Sequence, residues 1–64
     1  MGKWKYWEVG YYGRKERWVK IMTIYARNAD DARLRARKFL SRPGRANEFR
    51  IWKARGCEVL EVAR

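Results

Sequence analysis

The chain has 64 residues, 47% hydrophobic and 38% charged, with seventeen Lys and Arg against seven Asp and Glu for a net charge of +10. A chain this short buries only ~60% of the surface its unfolded form exposes, which leaves material for one domain, 1–64, and excludes a second core. The apolar and aromatic content excludes a disordered basic tail, and the absence of His together with the single Cys57 excludes the usual Cys/His metal sites and an intramolecular disulfide.

From Lys3 to Tyr12, aromatic and β-branched residues alternate. Trp7, Val9 and Tyr11 fall on one side and Tyr6, Glu8, Gly10 and Tyr12 on the other, predicting a first strand. The polar run Gly13-Arg14-Lys15-Glu16-Arg17 has the length and the glycine of a hairpin loop. A second strand is expected from Trp18 to Ala26, with Met22, Ile24 and Ala26 opposed to Val19, Ile21 and Tyr25. Arg27-Asn28-Ala29-Asp30-Asp31 then starts a helix, since Asn28 is a good N-cap and the two aspartates suit the positive end of the helix dipole. The helix is expected from Ala29 to about Ser41, with Ala29, Ala32, Ala36, Phe39 and Leu40 on one stripe and Arg33, Arg35, Arg37 and Lys38 around the rest. Arg42-Pro43-Gly44-Arg45 ends it, because proline cannot continue the hydrogen-bond ladder.

Beyond that loop, Glu48 to Ala54 reads as a third strand, with Phe49 and Ile51 on one face and Arg50 and Trp52 on the other. Arg55-Gly56 suits a tight turn. Cys57 to Val62 gives a shorter fourth strand whose Glu58 and Glu61 mark an edge. The predicted fold is α+β, in the order β-β-α-β-β, with one helix on one face of a three- to four-stranded, mainly antiparallel sheet and the other face uncovered.

Catalytic chemistry finds little to work with: no His, one Cys, two hydroxyl side chains besides tyrosine (Thr23 and Ser41), and acids placed at caps and edges. Glu8 with Glu16, or Asp30 with Asp31, offers a metal only a pair of carboxylates, and solubility or capping explains them better. Gly10-Tyr11-Tyr12-Gly13 lacks the spacing and the lysine of a phosphate-cradling loop. No enzyme activity, metal or cofactor is therefore expected.

Charge is the more informative feature. Residues 33–55 carry nine cations and one acid, Glu48. Arg33, Arg35, Arg37, Lys38, Arg42, Arg45, Arg50 and Lys53 are the candidate phosphate contacts, with acidic partners nearly missing along the helix. Ten aromatics are more than one small core absorbs, and Tyr6, Tyr12, Tyr25 and Trp52 are the candidates to stack unpaired bases, while Trp7 and Phe39 are assigned to the core and Cys57 to a small buried hydrophobe.

These features predict a small basic nucleic-acid-binding protein, for DNA or RNA, with low sequence specificity. An uncovered face rich in Trp, Tyr, Met and Arg also suits a protein interface, so a phage- or virus-encoded module that grips a host protein or a second copy is the alternative. The single thiol implies a reducing, intracellular site. The longest uncharged run, Ile21–Ala26, is far short of the ~20 apolar residues of a membrane span. The Met1-Gly2-Lys3 start reads as unprocessed.

The run Ala26-Arg27-Asn28-Ala29-Asp30-Asp31-Ala32, followed by Ser41-Arg42-Pro43-Gly44, resembles the small archaeal ribosomal protein LX and is similar to small phage and viral proteins of the strand-strand-helix-strand kind. The likeness covers roughly half the chain, amounts to a capped helix after a strand, and carries over no residue. It implies that ribosome-associated or viral RNA-binding roles are compatible.

Overall fold

The computed structural model describes residues 3–62, so the Met1-Gly2 start lies outside the described residues. Strand β1 (Lys5–Tyr12) leads through a single turn of 3-10 helix, Arg14–Glu16, into β2 (Trp18–Ala26). Helices α1 (Ala29–Leu40) and α2 (Ala46–Ala54) follow, and β3 (Glu58–Glu61) closes the chain. The sheet order is β2-β1-β3 with both pairings antiparallel, so β2 and β3 are edges. The α+β class and the antiparallel sheet are as the sequence predicts.

The five-residue loop sets the hairpin register. Gly13 N–H donates to the Arg17 carbonyl at 2.7 Å and Tyr12 lies opposite Trp18. Pairing shifts between Val9 and Gly10, where Ile21 is the extra residue on β2, a β-bulge that lets both Ile21 and Met22 reach the core. Gly10 is required there, because a Cβ would run into the Val19 carbonyl and touch the Trp18 indole.

Helix α1 begins as its cap predicts, with the Asp31 N–H donating to the Asn28 side-chain oxygen at 2.8 Å. Its fully buried Ala32, Ala36 and Leu40 face Val9, Ile24, Ala26 and Val59 of the sheet. The turn after it has proline second and glycine third, with Gly44 at φ +90° and Arg45 N–H donating to the Arg42 carbonyl at 3.2 Å, the pattern of a type II turn.

The segment expected as a third strand is instead helix α2, so two helices cover the sheet and the order is β-β-α-α-β. The physical reason is the stripe Ala46, Phe49, Trp52, which recurs every three residues and falls on one side only if the backbone is helical. That side supplies the largest core residue, Trp52, whose indole N–H donates to the Glu58 carbonyl at 3.0 Å. Arg55-Gly56, expected as a tight strand turn, is the end of this helix. Gly56 N–H bonds the Lys53 carbonyl (3.2 Å), Cys57 N–H bonds the Trp52 carbonyl (2.9 Å), and Gly56 takes φ +102°, which is a Schellman cap. Cys57 packs half-buried against the core.

Candidate nucleic-acid interface

Both helices lie on the side of the sheet that carries Val9, Ile24 and Val59. Period-two geometry turns Tyr6, Glu8 and Tyr12 of β1, with their partners Tyr25, Thr23 and Trp18 of β2, to the open side. Tyr6, Tyr12 and Tyr25 are 44%, 41% and 49% exposed, as expected of stacking candidates. They fall into two clusters. Tyr25 lies between Tyr6 (ring centroids 4.8 Å) and Trp4 (5.4 Å, stacked), while Tyr12 meets Trp18 edge-on at 5.1 Å. Trp18 lies across Gly10 and donates its indole N–H to Glu8 at 2.7 Å. Trp4 and Trp18 were not among the sequence candidates, although the signals were present: Trp4 is two residues before Tyr6 on the same face, and the loop length places Trp18 opposite Tyr12.

Trp52 is a correction. It is 0% exposed and cannot receive a base, because the helical backbone directs it into the core rather than onto the sheet's open face. Phe39 is the opposite correction, exposed where core was expected, since α1 turns Ala36 and Leu40 inward and leaves the neighbouring position at the helix flank.

The cations are less uniformly free than the sequence suggests. Arg33 pairs with Asp30 at 2.9 Å and donates to the Cys57 carbonyl at 3.1 Å. Arg35 pairs with Asp31 (3.1 Å) and Arg45 with Glu48 (3.4 Å), so the expectation that α1 lacks acidic partners is corrected: the first-turn aspartates sit at the positive end of the helix dipole and pair its arginines at once. Arg50 bonds Asn47, Lys53 lies over the Phe49 ring and Arg42 over the Phe39 ring. Among the described residues, Arg37, Lys38 and Arg42 form no ion pair. Asp31 accepts the Arg27 backbone N–H (3.2 Å) and the Arg35 guanidinium, and these bonds, with the charges of both arginines, hold its carboxyl below the usual carboxylate range against the opposing effect of desolvation.

Arg27 and Arg35 also sit over the Trp4 ring, at 5.4 and 4.7 Å, so the first aromatic cluster passes directly into the cations of α1. There a groove of about 490 Å³ runs between β2 and the helix. Thr23, Ile24 and Tyr25 line its strand side; Arg35, Lys38, Phe39 and Arg42, at three- and four-residue spacing, line its helix side. Among the described residues no three acidic, His or Cys side chains gather to hold a metal, and no helix is long and apolar enough to cross a membrane. Glu8 bonds Trp18, while Asp30 and Asp31 are occupied by arginines.

Comparison with known proteins finds no matching family model, no matching curated protein and no matching solved structure. The chemistry of the surface has to be judged from its own side chains.

Proposed function

We propose that the protein binds single-stranded nucleic acid, stacking bases on the open sheet face and meeting phosphates with the cations beside it. The carrying observation is the exposed Tyr6–Tyr25–Trp4 cluster continued by Arg27 and Arg35 over the Trp4 ring. Aromatic faces take any base, each worth ~1–3 kcal/mol, so the binding is tolerant of sequence and needs unpaired bases. Lys38 and Arg42 add charge that no carboxylate among the described residues offsets, and each phosphate they neutralise releases counterions and makes affinity fall with salt.

The test is fluorescence anisotropy with labelled oligo(dT), oligo(rU) and a duplex, each of about 12 nucleotides, at about 50 and about 200 mM salt. Tyr6→Ala with Tyr25→Ala should weaken single-strand binding at least tenfold, about 1.4 kcal/mol, and duplex binding less. Arg37→Gln with Lys38→Gln should weaken both and flatten the salt dependence. No binding at low salt by folded protein, or equal loss on single strand and duplex in the tyrosine variant, would sink the stacking reading.

A further inference from the structure

The edge of β2 is unusual for how little protects it. An edge strand presents unpaired peptide groups, and natural sheets blunt such edges with charge, proline or a cover. Here Ile21–Ala26, six residues of β2, carry no charge and no proline. Their orientation follows from the register. The Tyr6 carbonyl accepts Val62 N–H, so Tyr6 directs its peptide groups toward β3, and the alternating Trp7 and Val9 direct theirs toward Ile24 and Met22. Thr23 and Tyr25 therefore direct their N–H and C=O groups away from the sheet, on the strand side of the groove.

We infer that this groove takes an extended acidic peptide, which adds to β2 as a fourth strand with its carboxylates toward Arg35, Lys38 and Arg42. An added strand matches the alternating donors and acceptors of Thr23 and Tyr25. One face of it lies toward the helix and the other beside the Thr23 and Tyr25 side chains, so an alternation of acidic with β-branched residues fits. From Arg35 to the last helical residue, Leu40, is about 7.5 Å, with Arg42 just beyond, and same-face side chains of a strand recur about every 6.8 Å, which leaves room for two carboxylates. Arg42 lies over the Phe39 ring at 4.7 Å, and neither it nor Lys38 has a carboxylate partner among the described residues.

Charge decides against a second copy of this chain: pairing β2 with β2 would set the Arg35, Lys38 and Arg42 rows of two +10 molecules side by side. Peptide geometry favours a protein strand over nucleic acid along the β2 edge, because phosphate groups offer acceptors only and lack the regular alternation of donors and acceptors that the outward N–H and C=O groups of Thr23 and Tyr25 match. The groove shares Tyr25 and Arg35 with the open-face cluster and Lys38 and Arg42 with the phosphate contacts proposed above, whereas Thr23, Ile24 and the β2 edge belong to it alone.

The experiment uses the full chain and labelled peptides of about eight residues alternating glutamate with valine. Three are compared at about 50 mM salt: the parent, a lysine-for-glutamate peptide, and the parent N-methylated at alternate residues on its sheet-facing edge, which keeps the charge and removes the strand donors. The parent should bind, the lysine peptide should not, and N-methylation should weaken binding at least tenfold. Lys38→Glu with Arg42→Glu should abolish parent binding, while Arg14→Gln in the hairpin loop, which removes one positive charge away from the groove, should leave it unchanged. No binding of the parent overturns the inference, as does equal binding of the methylated peptide, which would leave charge attraction alone. Full parent binding by the Lys38/Arg42 variant would place the carboxylates outside this groove and overturns the inference as well. Failure of peptide binding leaves the tyrosine-dependent oligonucleotide result untouched, so the two readings fall separately.

Discussion

Gly10 sits where the hairpin shifts register, with the Trp18 indole across it and the Val19 carbonyl in the place a Cβ would need. The backbone of Val19 cannot yield without opening the bulge that sends Ile21 and Met22 inward. Gly10→Ala should therefore destabilise by about 1–3 kcal/mol, the usual cost of forced overpacking, read from urea midpoints; a neutral result would mean that the bulge relaxes freely. Asp31 makes a different kind of prediction. Its folded-state pKa is lowered by the Arg27 N–H and the Arg35 guanidinium, so its ionised form stabilises the fold. That contribution is fully present above the unfolded carboxyl value of about 3.9 and is lost as pH falls through the lower folded value. Asp31→Asn should be less stable than wild type at pH 7, with the difference shrinking below about pH 4; thermal melts across that range check it, and a gap that is constant with pH would show that the Asp31 ion pairs contribute nothing. Exposure of Arg27 and Arg35 keeps the effect modest.

At the scale of elements, the second helix shows how a local pattern misleads. Phe49-Arg50-Ile51 alternates as a strand would, but Trp52 breaks the alternation, and the three-residue stripe Ala46, Phe49, Trp52 ending one turn before Gly56 is a helix with its cap. Reading it as a strand also misplaced Trp52, which was then turned to the open face instead of into the core. By contrast, β1, β2 and α1 were legible, since each has a long periodic pattern and an unambiguous turn or cap; the exposure of Tyr6, Tyr12 and Tyr25 could be read from the sequence for that reason. What sequence could not give was pairing across space, such as Arg33 reaching the Cys57 carbonyl from another element. The cap itself is testable. Gly56 at φ +102° occupies a region that costs other residues about 1–2 kcal/mol, and its open surroundings remove any steric explanation. Gly56→Ala should lose about that much stability with little change in circular dichroism; an unchanged midpoint would mean that the helix end relaxes to another geometry.

The whole molecule places +10 on a body with principal extents of 34 × 29 × 16 Å. At about 10 mM salt the Debye length is about 30 Å, so nearly every charge feels every other; at about 150 mM it is about 8 Å and only neighbours interact. The neighbours are partly attractive, since Asp30, Asp31, Glu48 and Glu61 each hold a cation, whereas the distant interactions are mostly repulsive. Adding salt should therefore remove more repulsion than attraction. The melting temperature should rise over that interval by at least about 4 °C, equivalent to about 1 kcal/mol in a domain of this size. Sulfate at the same ionic strength should raise it further than chloride, because a multivalent anion can bridge Lys38 and Arg42 in the groove, which no carboxylate among the described residues satisfies. A melting temperature that falls with salt would mean that the ion pairs among the described residues outweigh the net charge, and the case for an anionic partner would then have to rest on the shape of the groove and the aromatic face alone.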